Sequence, residues 1–163
     1  MISFYRYADT VGDGTGSREG AVNGSVTPVV LRLMPRAGET SLEVHNMMVH
    51  IMDVGLFDTG KYGNNIVLTN GISVGVYNAD GSLDRDLMDG EPIKLNVEWH
   101  HVCYDASLST YGTGDASLSV SWPFTRAGMP IILEFGESIC ITLADDLTGL
   151  THHAFRFEGI AHG

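Results

Sequence analysis

Lysine is almost missing from this chain. It occurs twice, and lysine and arginine together number 9 against 20 aspartates and glutamates. The resulting formal charge of -11 repels nucleic acid and anionic lipid, so neither is an expected partner. Cysteine is as scarce, with Cys103 and Cys140 alone. Two cysteines make no disulfide framework, and a reducing compartment is the simpler expectation. No run of about 18 apolar residues occurs, so no membrane-spanning helix is expected. The opening residues MISFYRYADT lack the charged and apolar regions of a secretory signal. The cytoplasm, or a particle assembled there, fits such a chain.

Several chemical signatures are absent too. There is no H-E-x-x-H, no C-x-x-C and no H-x-H with a downstream Glu, so the usual local zinc patterns and the ligand set of cupin enzymes are missing. No G-x-S-x-G nucleophile elbow occurs. The stretch GDGTGS has the glycines of a phosphate-cradling loop but not its lysine, nor a flanking strand and helix. No catalytic residue, cofactor or metal is expected.

What the chain has is glycine, 20 residues of it, gathered in turns such as NADG, MDGEP, YGTGD and EFGE. Its 163 residues suit one domain, which at this size buries roughly 70% of its unfolded surface and needs no disulfide or metal. Residues 8–27 carry small polar residues without apolar periodicity. Residues 1–27 are therefore expected to be a flexible arm or loop, and 28–163 a single β domain.

From Val29 onward the pattern has period two. Val29, Leu31 and Leu33 share a face. In SLEVHNMMVHIM, Leu42 and Val44 are followed by Met47, Val49 and Ile51, a slip of one residue near His45 and Asn46. A slip turns every later side chain to the wrong face, so a β-bulge is expected there. Asn70-Gly71 predicts a tight hairpin. Ile93, Leu95, Val97 and Trp99 alternate without fault, as do Leu118, Val120, Trp122 and Phe124. Pro123 cannot donate to a ladder and predicts an edge or a strand end. Ile139, Ile141 and Leu143 share another face. DVGLFDTGKYG and SLDRDLMDG alone look able to hold a helical turn. About nine short strands result. They predict an antiparallel β-sandwich, a jelly roll ahead of an up-and-down barrel or an immunoglobulin-like sandwich, and no Cys-Trp-Cys spacing supports the last of these.

The stretch VEWHHVCYD, residues 97–105, gathers two histidines, a cysteine and an aspartate. In extended phase His100 and His101 point to opposite faces, so they diverge from any shared metal. Cys103 shares the inward phase of Trp99, where cysteine acts as a small hydrophobe. A plain strand is the expectation. His45 and His50, five apart, lie on opposite faces of a regular strand, and a bulge would realign them. His152 and His153 form another doublet. Asp80, Asp84, Asp86, Asp89 and Glu91 form one acidic cluster, and Asp145 and Asp146 another. Their spacing departs from a calcium loop, and turn capping is expected instead. Glu98, Glu134 and Glu158 belong to polar strand faces.

The segments LTNGISVGV, DGEPIKLNVEWHHVCYD, LSVSWPFTRAGMPIILEFGE and GESICITLADDLTGLTHHAFRFEG together resemble the small all-β virion proteins of tailed bacteriophages. Jelly-roll cement or decoration proteins of the capsid exterior are among them. The resemblance spans roughly residues 28–160 and is one of pattern rather than motif. It implies a non-enzymatic part, without cofactor, that binds the major capsid protein and clamps the shell. The resemblance also implies a place on the virion exterior, after assembly in the host cytoplasm. A dimer or trimer is expected. Ile2, Phe4 and Tyr5, at the head of the expected arm, are the candidate assembly interface, by strand addition to a neighbour. A ligand- or carbohydrate-binding β-sandwich, for example on a phage tail or fibre, is the alternative. It would use exposed aromatics, for which Tyr62, Tyr77, Tyr104 and Tyr111 are candidates.

Overall fold

In the computed structural model, residues 1–14, 22–54, 68–87, 109–111, 115–123, 130–150 and 152–163 are described. They form ten strands and no helix. In chain order these are β1 (Ile2–Tyr7), β2 (Val29–Leu33), β3 (Ser41–Val54), β4 (Ile72–Tyr77) and β5 (Leu83–Asp86), then β6 (Ser109–Tyr111), β7 (Asp115–Pro123), β8 (Ile131–Glu134), β9 (Ser138–Leu143) and β10 (His152–His162). Two antiparallel sheets pack as a sandwich. The larger has six strands, ordered β1-β10-β3-β7-β6, with β8 also paired to β3. The smaller has four, ordered β2-β9-β4-β5.

Period-two alternation builds the layer between them. Leu31 and Leu33 of β2, Ile139, Ile141 and Leu143 of β9, and Val74 and Val76 of β4 meet Leu42, Val44, Met47 and Val49 of β3. Phe155 and Phe157 of β10 are at most 1% exposed, and burying each such side chain is worth about 1.5–3 kcal/mol. The expected faces of β2 and β9 are therefore the core faces.

The slip in β3 is a bulge. Val44 pairs with Gly159 and Asn46 with Glu158, so the register passes over His45. Along the other edge of β3, Val44 pairs with Ile131 of β8 and Asn46 with Pro123 of β7. The bulge thus falls where β3 changes partner. It returns Met47 and Val49 to the core phase of Leu42 and Val44. Opposite it, a Cβ on Gly159 would lie 2.0 Å from the Glu43 carbonyl oxygen, a contact no side chain survives without backbone movement. Pro123 is the last described residue of β7, where it pairs with Asn46.

Three expectations are corrected. Described residues of the 1–27 segment are built into the sandwich, not into a free arm. β1 pairs along its length with β10. Ala8 then donates its N–H to the Phe155 carbonyl at 2.8 Å, and Asp9 and Arg32 exchange backbone hydrogen bonds at 3.1 and 2.6 Å. The chain so passes from the edge of the larger sheet to the edge strand β2 of the smaller. Further on, Leu147 donates its N–H to the Val22 carbonyl at 2.8 Å. The reason is local: ISFYRY alternates, with Phe4 packed on the core and Arg6 buried, and β-branched and aromatic residues favour the pleat.

The second correction concerns Asn70-Gly71. Leu68 and Thr69, the described residues before it, stand outside any strand, so they form no hairpin ladder with β4 across Asn70-Gly71. The hairpin turn lies one strand later, at NADG. There Gly81 takes φ +83° and donates its N–H to the Asn78 carbonyl at 2.9 Å. Asn70-Gly71 instead wraps Asp145. That buried carboxylate accepts the N–H groups of Thr69 (2.9 Å), Asn70 (3.1 Å) and Gly71 (2.8 Å). The third correction is that SLDRDLMDG holds strand β5 and no helical turn over Leu83–Asp86. DVGLFDTGKYG lies almost wholly outside the described residues.

Candidate functional site

Two surfaces on this frame carry exposed groups that the core does not explain. The first is β1, outermost in the larger sheet among the described strands. Alternation sets Tyr5 on the face opposite Phe4, while Ile2 shares the phase of Phe4 and is exposed at the start of the strand. Phe4 points inward and packs on the core. Ile2 is 74% and Tyr5 54% exposed. Arg156 of β10 holds Tyr5 in place: its guanidinium lies 4.2 Å from the Tyr5 ring centroid and donates to the Tyr5 hydroxyl. It also donates to Glu158 at 2.6 Å. Burial raises the pKa of the Tyr5 hydroxyl, and the Tyr7 hydroxyl beside it adds to the rise, while Arg156 opposes both. Beneath the strand, Arg6 donates to both carboxylate oxygens of Glu39, to Oε2 at 2.9 Å. Glu39 Oε2 also accepts the Arg36 N–H at 2.8 Å. The Arg6 hydrogen bonds hold the Glu39 carboxyl below the usual glutamate range, and the Arg36 N–H adds to this.

Among the described strands none pairs with the outer edge of β1. It has no proline, lysine or register break, the devices that usually protect exposed edges. Its one charge, Arg6, is turned inward and paired.

The second surface is a groove of about 360 Å3 on the outer face of the smaller sheet. Ser138, Cys140 and Thr142 of β9 form its floor. One wall is Arg32 of β2, with Val30 and Met34 beside it, and the other is Tyr77 with the β4–β5 turn. Strand pairing explains the gathering. Arg32 and Gly75 both pair with Cys140, and Tyr77 pairs with Ser138, and side chains directly opposite share a face. Cys140 is buried, with its Sγ 3.4 Å from Ser138 Oγ. Sequence reasoning named Tyr77 as an exposed aromatic but missed Arg32 and the floor. A polar phase on β2 and β9 was their one signal, and it reads equally as plain solvent exposure.

The remaining candidates are dispersed. Among the described residues no group of three or more His, Cys, Asp or Glu could hold a metal ion. His153 is fully buried, its ring 5.6 Å from that of Phe155. His45 and His162 each contact the Glu43 carboxylate, at 3.3 and 3.2 Å. Asp80 accepts the Ser82 hydroxyl at 2.6 Å and its N–H at 2.9 Å. Asp146 does the same for Thr148, at 2.6 and 3.0 Å. These hydroxyl bonds, and then the N–H bonds, lower the pKa of both aspartates. Each caps its own turn. Asp84 pairs with Arg85 at 2.8 Å. VEWHHVCYD, with His100, His101 and Cys103, lies outside the described residues, as do Tyr62, Asp89, Glu91, Glu98 and Tyr104.

No family model, curated protein or solved structure matches the chain.

Proposed function

We propose that this chain is a non-enzymatic structural part of a virion: a cement or decoration protein that binds the major capsid protein on the outside of a tailed-bacteriophage shell and stabilises it. The outer edge of β1, unpaired among the described strands and with Ile2 and Tyr5 exposed, carries this reading. Such an edge recruits a further strand, from a second copy or from the shell, through main-chain hydrogen bonds. The interface is therefore an edge strand of the folded domain, with Ile2 and Tyr5 as its exposed apolar contacts and Phe4 as its anchor in the core. A closed homodimer or homotrimer follows from the same edge.

The sandwich is read as a jelly roll. The orders β1-β10-β3-β7 and β2-β9-β4-β5 support this, because the chain alternates between sheets over β1 to β4 and returns over β9 and β10 to the middle of each. That topology is shared by capsid parts, lectins and cupins, so the β1 edge and not the topology favours the structural role.

The test is reconstitution. Shells of the encoding phage, prepared without this protein, are incubated with the purified chain and sedimented. Saturable co-sedimentation and a higher shell melting temperature are expected, and Ile2→Glu with Tyr5→Glu should abolish both. Shells that neither bind the chain nor gain heat resistance would refute the capsid role.

A further inference from the structure

Among the described arginines, Arg6 pairs with Glu39, Arg36 donates to the Asp13 carbonyl, Arg85 pairs with Asp84, and Arg156 with Glu158. Arg32 differs. Among the described residues its guanidinium has neither an ion pair nor a hydrogen bond, and it stands over the groove of the smaller sheet. We propose that this groove binds a carboxylated saccharide, with Arg32 pairing to the carboxylate and Tyr77 presenting its ring to the sugar. The proposal does not depend on the capsid role.

The electrostatics select an anion. The molecule carries a formal charge of -11, yet among the described residues no carboxylate lines the groove. Asp80 and Glu137, on the flanking turns, are outside its lining and hydrogen-bonded within those turns. Asp80 caps the Ser82 N–H and hydroxyl, and Glu137 accepts the Glu134 N–H at 2.8 Å. A guanidinium fork matches a carboxylate with two parallel hydrogen bonds. One cation on so acidic a molecule does not suit a polyphosphate or a nucleic acid, which need several.

The other lining groups select a sugar. Ser138 and Thr142 place hydroxyls on the floor, each able to donate and accept. Tyr77 adds a flat apolar face and a phenol, the amphipathic pairing that such ligands use. Gly75 fixes where that ring lies. A Cβ there would meet Tyr77 Cε2 at 3.3 Å and Leu83 Cδ1 at 2.9 Å, so both side chains lean over the bare backbone. Arg32 and Tyr77 stand two strands apart and two residues along, a Cα separation of roughly 12 Å by sheet spacing. Long side chains close that span over one or two sugar rings. At about 360 Å3 the groove is at the small end of ligand pockets, roughly 300–1,000 Å3. A purely apolar ligand would leave the hydroxyls and Arg32 unpaired.

The full chain is titrated by calorimetry, and by amide NMR, with trigalacturonate, its neutral methyl ester and inorganic phosphate. Trigalacturonate should bind saturably and shift the Ser138, Cys140 and Thr142 amides, with the methyl ester at least about ten-fold weaker. Arg32→Gln and Tyr77→Ala should each cost about ten-fold or more, and Arg32→Lys should fall between Arg32→Gln and the parent chain. Absence of saturable binding overturns the proposal, as does binding that Arg32→Gln leaves unchanged. Phosphate binding as tightly as the trisaccharide overturns the saccharide assignment and leaves a simple anion pocket. Should Tyr77→Ala not fold, Arg32→Gln alone decides, because its guanidinium holds nothing else among the described residues.

Discussion

Replacing Glu39 by Gln should destabilise the fold by about 2–3 kcal/mol at pH 7. Arg6 is 6% and Glu39 17% exposed, so the pair lies near the buried limit. Breaking a buried pair by losing one partner costs about 3–5 kcal/mol, whereas exposed pairs are worth roughly 0–1. Glutamine keeps the volume and one acceptor, which lowers the cost from the buried limit. Arg6→Met should cost a similar amount, since it also removes the guanidinium lying 4.9 Å from the Phe4 ring centroid. The double variant should fall short of the sum by about 1.5–2 kcal/mol, because the two side chains act as one unit. pH supplies a second arm. The folded-state pKa of Glu39 is lowered, so its ionisation stabilises the fold fully above the unfolded value of about 4.3. That contribution is lost as pH falls through the lower folded value. The gap between the parent chain and Glu39→Gln should therefore be constant from about pH 6 to 8 and shrink under acid. Urea unfolding at a series of pH values measures all of this. Strict additivity, or a gap that persists unchanged into strong acid, would refute the claim that this ion pair fastens β1 to the turn before β3.

Removing residues 1–7 should lower the melting temperature by about 10 °C or more, followed by circular dichroism, because the whole β1–β10 ladder is lost and Glu39 loses its partner. An unchanged melt would restore the picture of an idle arm. Gly159→Ala should cost at least about 2 kcal/mol by denaturant titration, since its Cβ would enter the Glu43 carbonyl. Gly81→Asn is its control: φ is +83° with nothing within 4 Å, asparagine tolerates that region, and the loss should stay under about 1 kcal/mol. Asp145→Ala should cost about 2–4 kcal/mol by the same titration, because the Thr69, Asn70 and Gly71 N–H groups lose their acceptor. Asp145→Asn should lose less, and equal losses in the two would argue for lost charge in place of lost acceptors.

Local pattern was enough wherever one short segment decides its own face. Alternation in β2 and β9 named the core residues Leu31, Leu33, Ile139, Ile141 and Leu143, since period two on one buried face leaves a single phase. The bulge at His45 was legible for the same reason: a phase that breaks and resumes permits one remedy. Partnership was not legible. Asn70-Gly71 has the composition of a hairpin turn, but Leu68 and Thr69 before it join no strand, and Asp145, 75 residues away from Asn70 along the chain, takes the loop instead. ISFYRY read as an arm because the glycine-rich segment after it suggests a tether, while β10, which holds it in the sheet, and Glu39, which holds Arg6, lie far along the chain. Arg32, Tyr77 and Ser138 each look like ordinary exposed residues in sequence. Their common groove exists because β9 runs between β2 and β4. Periodicity fixes which way a side chain points, since the backbone pleat is local, whereas the choice of neighbouring strand is a competition among all edges of the chain that only the closed sandwich resolves.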